Sequence, residues 1–139
     1  MRQTSGAILV REGRVLLGLR SPAKKTYANC WDVPGGHRKE DETALATLVR
    51  ELREELGVTP IDANPLVDVI DGCIVHHLFL VTRWSGGEPR VLGEEHVRLT
   101  WFSYREAIAL PNLALGIYRD IFAQLAAYCM EITPPAPAP

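Results

Sequence analysis

Cysteine is scarce: the 139 residues hold three, Cys30, Cys73 and Cys129, scattered and with no CxxC pair. That number and spacing exclude a disulfide framework and leave three free thiols suited to a reducing compartment. Excess charge is missing too, since 15 Lys and Arg against 17 Asp and Glu leave a net charge of -2. A protein that binds a nucleic-acid polymer needs a basic footprint, so the expected partner is a small molecule and not a polymer. No apolar run approaches membrane-spanning length, and Met1-Arg2-Gln3-Thr4 is not followed by a signal-peptide core. No membrane association is expected, and the expected location is cytoplasmic. Internal repeats and domain boundaries are also absent. A chain of this length suffices for one domain that buries about two-thirds of its unfolded surface.

What is present alternates between strand and helix signals. Ala7-Ile8-Leu9-Val10 and Val15-Leu16-Leu17-Gly18-Leu19 flank Glu12-Gly13 and predict a hairpin. A polar loop from Ser21 to Asn29 leads into Trp31-Asp32-Val33-Pro34. Apolar, β-branched segments from Pro65 to Ile70 and from Cys73 to Thr82 read as strands, followed by the turn Ser85-Gly86-Gly87 and a strand from Leu99 to Phe102. His76 and His77 are adjacent in a strand, so they face opposite ways and cannot share a metal. Trp31, Trp84 and Trp101 are expected to be core residues. Ser103-Tyr104-Arg105-Glu106 forms a capping box, and Asn112 is placed to cap a last helix with the face Ala114, Ile117, Tyr118, Ile121, Leu125 and Tyr128. Strands mixed with two long helices imply a layered α/β (α+β) arrangement, its sheet covered on both sides. One domain is expected over residues 1–132, with an extended Pro/Ala-rich tail over 133–139.

Residues 36–58, GHRKEDETALATLVRELREELGV, carry the chemistry. Leu45, Leu48, Val49, Leu52 and Leu56 recur at helical intervals as one apolar stripe. Asp41 is a plausible N-cap, and Gly57 sits where a left-handed C-terminal residue belongs. Glu51, Glu54 and Glu55 stand at i, i+3 and i+4 and cluster beside the stripe. Like charges so close destabilise the helix, and a divalent cation, which hard carboxylate oxygens bind well, relieves them. The ordinary alternative for an acidic helix face is a solvated surface. Gly35-Gly36 ahead of the helix argues against it, because glycine lets the backbone approach a ligand closely and a carbonyl there could complete a metal shell.

The stretch matches the Nudix box without interruption: Gly36, Glu42, Arg50-Glu51-Leu52, Glu54-Glu55 and Gly57-Val58, at fixed spacing. Seven specified and two aliphatic positions coincide by chance in roughly one chain per ten million, or a decade or two more often in glutamate-rich helices. The chain therefore resembles the Nudix hydrolases, and Tyr27-Ala28-Asn29 before Trp31-Asp32-Val33-Pro34-Gly35-Gly36, with Arg83-Trp84 before Gly87-Glu88-Pro89, resembles their MutT type. The resemblance implies a mixed β-sheet sandwiched between helices, with the box as a loop-helix-loop. It implies catalytic roles for Arg50, Glu51, Glu54 and Glu55, and a metal held by Glu51, Glu54, Glu55 and a carbonyl of Gly35 or Gly36. Glu95, or alternatively Glu94, would add a loop carboxylate, with a surface salt bridge to Arg98 as the other reading of these acids. Arg50 would orient a box carboxylate, Glu42 would lie near the metal's water or Arg50, and Glu51 or Glu55 would serve as the base. Arg20, His37 and Asn112 are the candidate substrate contacts. The implied cofactor is Mg2+, with Mn2+ as a substitute, and the implied assembly is a monomer or homodimer. The first-choice substrates are (d)NTPs, including oxidised ones, cleaved to a nucleoside monophosphate and pyrophosphate; ADP-ribose or a dinucleotide is the alternative, and a nucleotide sensor without turnover the alternative of another class. Departures from the pattern are Lys39 and Asp41 in the box loop, and Arg20-Ser21 where the MutT type carries two arginines.

Overall fold

The computed structural model describes the backbone of residues 1–132 and the side chains of residues 1–128. The tail expected over 133–139 and the Cys129 thiol lie outside the described residues. In chain order the elements are β1 (Arg2–Arg11), β2 (Arg14–Arg20), β3 (Trp31–Asp32), β4 (Gly35–His37), α1 (Ala44–Leu56), β5 (Thr59–Asp71), β6 (Ile74–Ser85), β7 (His96–Ser103), α2 (Tyr104–Ile108) and α3 (Ile117–Ile132).

The sheet is built around β1, whose continuous buried run Ser5–Leu9 suits a strand covered on both faces. One edge of β1 pairs in parallel with β6, from Arg2↔Ile74 to Leu9↔Val81. The other edge is shared: β4 takes Thr4–Gly6, and β2 takes Val10 and Arg11. The sheet forks there. β2 carries β3 and β7 away on one branch, while β5 closes the far side of β6. Glu12 and Gly13, with φ of 52° and 75°, make the two-residue turn that matches strand twist in a β1–β2 hairpin.

Alternation along the strands sorts the core into two layers. Ala7, Leu9, Leu16, Phe79 and Val81 face Leu48, Leu52 and Leu56 of α1. Ile8, Val15, Leu17 and Leu78 face α2 and α3, where Tyr118, Ile121 and Phe122 are buried. Each fully buried leucine contributes about 1.5–3 kcal/mol, so three of them fix the register of α1 against the sheet. The expected mixed sheet between helices is what forms.

Details depart from the sequence reading. The N-cap of α1 is Thr43, whose hydroxyl accepts from the Ala46 N–H at 3.0 Å, and not Asp41, which sits at φ 68° two residues earlier. The helix therefore starts later, Leu45 falls in its first turn at 47% exposure, and the buried stripe is Leu48, Leu52 and Leu56 with Thr47. Gly57 closes the helix at φ 71°, as expected. Gly35-Gly36 is not loop but the short strand β4, drawn into the sheet by β1. Strands β5 and β6 run further than expected, because register shifts beside Pro60 and Pro65 absorb the prolines on an edge strand. The capping box of α2 is present, with both of its hydrogen bonds. Asn112 does not cap α3, which begins at Ile117; Ile117 and Tyr128 are exposed, and Phe122 takes the buried place. Trp31 is a core residue, while Trp84 and Trp101 stack on each other at the margin of the α1 layer.

Candidate active site

At the box end, one arginine organises the carboxylates. Arg50 donates from Nε and Nη2 to the two oxygens of Glu42, at 2.7 and 2.9 Å, and from Nη1 to Glu51 at 2.8 Å and Glu54 at 3.3 Å. Its Nη2 also donates to the His37 carbonyl at 2.9 Å, tying helix to β4. Glu42 further accepts the Lys39 N–H at 2.8 Å, which pins the box loop despite its departures from the family pattern. The bond to Arg50 leads the forces that pull the Glu42 carboxyl down to about 2.

Glu51 and Glu55 behave in the opposite way. Burial, and after it the repulsion of neighbouring carboxylates, raises both above the usual range despite the pull of Arg50 on Glu51. Two glycines explain the burial, since a Cβ on Gly36 would strike the Glu51 carboxylate and one on Gly93 that of Glu55. Alanine at either position would evict the charge. Glu95 acts on both box acids. Its backbone carbonyl accepts the Ser21 N–H, and its side chain meets Lys24 at 2.9 Å and Arg20 at 3.7 Å. It does not pair with Arg98, which lies over the Trp31 ring at 5.3 Å. Glu94 is exposed.

Among the described residues, no three His, Cys, Asp or Glu side chains already converge on a point that could hold a metal ion. The donor chemistry fits one all the same. Glu51, Glu55 and Glu95 repel one another around glycine-lined space, and a hard cation supplies the positive charge that Arg50 and Lys24 only partly provide. Glu54, with its side chain 52% exposed and turned to Arg50, stands at the rim.

The forked sheet opens a cleft of about 100 Å3 beside β4. Gly36 lines it and also touches the Glu51 carboxylate, so the two regions meet there. At the far end lies Asp32 of β3. Its Oδ1 accepts from the Tyr118 hydroxyl at 2.6 Å and the Val33 N–H at 2.8 Å, and its Oδ2 faces Arg20 at 3.6 Å. Burial pushes the Asp32 carboxyl up and the Tyr118 phenol well up. His76 shares this wall, with Nδ1 2.6 Å from the Thr4 hydroxyl. Tyr27 closes the mouth by donating to Asp71, a bond that heads the causes raising its phenol to about 12.

Of the expected substrate contacts, Arg20 and His37 line the cleft. Asn112 does not; its amide donates to the Asn29 carbonyl at 2.7 Å and braces the loop behind Trp31. Sequence reasoning passed over Asp32, Tyr118, His76 and Lys24 as site residues. The available signal was the position of Asp32, three residues before the double glycine.

Comparison with known proteins agrees with this geometry. The NUDIX domain family model matches residues 1–125. The chain is 35% identical over 115 residues to the CTP pyrophosphohydrolase of Escherichia coli (strain K12), covering 80% of this chain and 82% of that protein. It is 33% identical over 86 residues to the 8-oxo-dGTP diphosphatase of Proteus vulgaris, covering 58% and 75%. The crystal structure of a MutT NUDIX hydrolase from Burkholderia pseudomallei superimposes with a TM-score of 0.75 at 34% identity, over 89% of this chain and 97% of that one. With an intact box on an α1 helix seated as that fold requires, the chain belongs to the NUDIX family and is a MutT-like pyrophosphohydrolase.

Proposed function

We propose that the protein hydrolyses (d)NTPs, cytosine and oxidised guanine nucleotides among them, to a nucleoside monophosphate and pyrophosphate in the presence of Mg2+. The observation that carries this reading is the meeting, at Gly36, of a carboxylate cluster and a cleft lined by both polar and apolar groups. The curated relatives that act on CTP and 8-oxo-dGTP support the same substrate class.

Glu51, Glu54, Glu55 and Glu95, with a carbonyl of Gly35 or Gly36, would hold the cation, Glu54 reaching it from the rim; the cation would neutralise diphosphate oxygens and lower the pKa of water. Glu51 or Glu55, half-buried and raised in pKa, accepts the proton of the attacking water. The water oxygen bonds to phosphorus, the anhydride P–O bond breaks, and pyrophosphate departs with the bonding pair. Arg50 keeps the Glu51 carboxylate aimed throughout, and Arg20 and His37 are placed for phosphate or ribose contacts along the cleft.

A panel of CTP, dCTP, GTP, 8-oxo-dGTP, ADP-ribose and dinucleotide polyphosphates, with products identified by phosphorus NMR, tests this. Monophosphate and pyrophosphate from the triphosphates are expected. AMP and ribose phosphate from ADP-ribose, with the triphosphates inert, would replace the reading with the dinucleotide one.

A further inference from the structure

His76 carries a buried polar atom with no partner among the described residues: its Nε2 makes no hydrogen bond there although the ring lines the cleft. An unsatisfied buried donor or acceptor destabilises a fold, and such a group in a native fold calls for an explanation. Its other nitrogen fixes its character. Burial leads in holding the imidazole below its ordinary pKa, so it is neutral and carries one N–H. If Nδ1 carried the proton, both the Thr4 hydroxyl hydrogen and the Nε2 lone pair would be left over. If Thr4 donates to Nδ1, one bond satisfies both groups and only Nε2–H remains. His76 therefore keeps Nε2–H as a buried, unpartnered donor on a ring that lines the cleft.

The surroundings say which part of a substrate that donor meets. Asp32 and Asp71 both act on His76, and Arg20, the guanidinium of this cleft, is turned to Asp32 and Glu95. Ile74, Leu78 and Leu115 supply apolar surface along the same cleft. A flat, neutral ring with an acceptor on its edge suits apolar walls, one N–H and a neighbouring carboxylate; a triphosphate does not.

We propose that His76 is a specificity-determining residue of this chain, donating a hydrogen bond from Nε2 to an acceptor atom on the nucleobase edge. The assignment rests on the nucleoside triphosphate reading above. β6 places the donor, Thr4 of the paired β1 sets its tautomer, and a base would complete the Nε2 that no described residue bonds.

The test compares CTP with ribose 5-triphosphate, which keeps the sugar and phosphates and lacks the base, at saturating Mg2+. In His76→Leu, the ratio of kcat/KM for CTP over ribose 5-triphosphate falls about three- to tenfold, the weight of one hydrogen bond, and the change lies in KM. His76→Gln, which keeps an N–H donor, holds the ratio within about twofold of wild type. A ratio indifferent to fold loss is read, because a smaller folded fraction scales both substrates alike. As a second measurement, the His76 Nε2 nitrogen-15 resonance of the wild type shifts on adding CMP and stays in place on adding ribose 5-phosphate. An unchanged ratio in His76→Leu, or an Nε2 resonance unmoved by CMP, overturns the assignment. A wild type that cleaves neither triphosphate removes the reading beneath it, an outcome distinct from an unchanged ratio.

Discussion

The two ends of the cleft store their chemistry differently. The box end is written in one short run of sequence: Glu42, Arg50, Glu51, Glu54 and Glu55 come from α1 and the loop before it, held by an arginine that bonds three of these acids and a β4 carbonyl. The far end is assembled from Thr4 of β1, Asp32 of β3, His76 of β6 and Tyr118 of α3, residues with no sequence proximity. Charge dominates the first and hydrogen-bond complementarity the second. On the function proposed above, that division would place the reaction at one end and the choice of substrate at the other. Changes at the box end should therefore act on turnover, and changes at the far end on affinity.

The largest effect should follow from Glu55→Gln or Glu51→Gln. Each removes a charged oxygen from a site built around it, and kcat should fall at least about a hundredfold, as for loss of one electrostatic stabiliser. Steady-state kinetics at saturating Mg2+ measure this, and activity within threefold would break the assignment. Arg50→Met should come next, because it releases Glu42, Glu51 and the His37 carbonyl without touching the phosphates. The loss should be about ten- to a hundredfold, typical of removing a group that orients a ligand, and it should appear in kcat more than in KM.

Smaller effects sharpen the boundary between the two ends. Glu95 touches both, since Arg20 lies between it and Asp32. Glu95→Gln should lower kcat severalfold and raise the Mg2+ requirement, with Glu94→Gln silent. A purely structural Glu95–Lys24 pair, part-exposed, would be worth under about 1 kcal/mol and would leave kcat alone. Magnesium titrations of both variants separate these outcomes.

The smallest effects are in the pH dependence of stability without added metal, where the box acids should differ in sign. Glu42 is lowered from 4.5 to about 2, so its stabilisation is present above 4.5 and is lost as pH falls through about 2. Glu55 is raised, so its penalty is absent below 4.5, grows as pH rises from there towards its folded value, and is complete above that value. Urea titrations should show Glu42→Gln less stable than wild type at neutral pH and Glu55→Gln more stable, the two curves approaching wild type in acid. Equal signs for both variants would contradict the electrostatics described.

The same contrast explains what could be read from sequence. The α1 helix, the side of it shared by Glu51 and Glu55, and Gly57 were legible because spacing along one helix determines which residues share a face, whereas Glu54 is turned to Arg50 at the rim. Thr43 displaced Asp41 as the cap because Glu42 turns back to Lys39 and Arg50, a tertiary preference invisible to a local pattern. Asn112 was misread as a cap because a brace to Asn29 and a helix cap place the same residue type ahead of a helix. Asp32, Tyr118 and His76 were not legible as a group, since only the shared edge of β1 and the return of α3 bring them together. His76 and His77 were legible as facing opposite ways, with His77 reaching Gln3 and Asp68, but not in what each would face.

One crossed experiment addresses the division most directly: kcat and KM of wild type, Glu55→Gln and His76→Leu, each with CTP and with ribose 5-triphosphate. The predicted result is that Glu55→Gln loses at least about a hundredfold in kcat on both substrates, while His76→Leu shifts KM for CTP relative to the base-free substrate and changes kcat little. Loss of kcat in both variants on both substrates, or a base-dependent loss in Glu55→Gln, would contradict the separation of reaction and recognition between the two ends of the cleft.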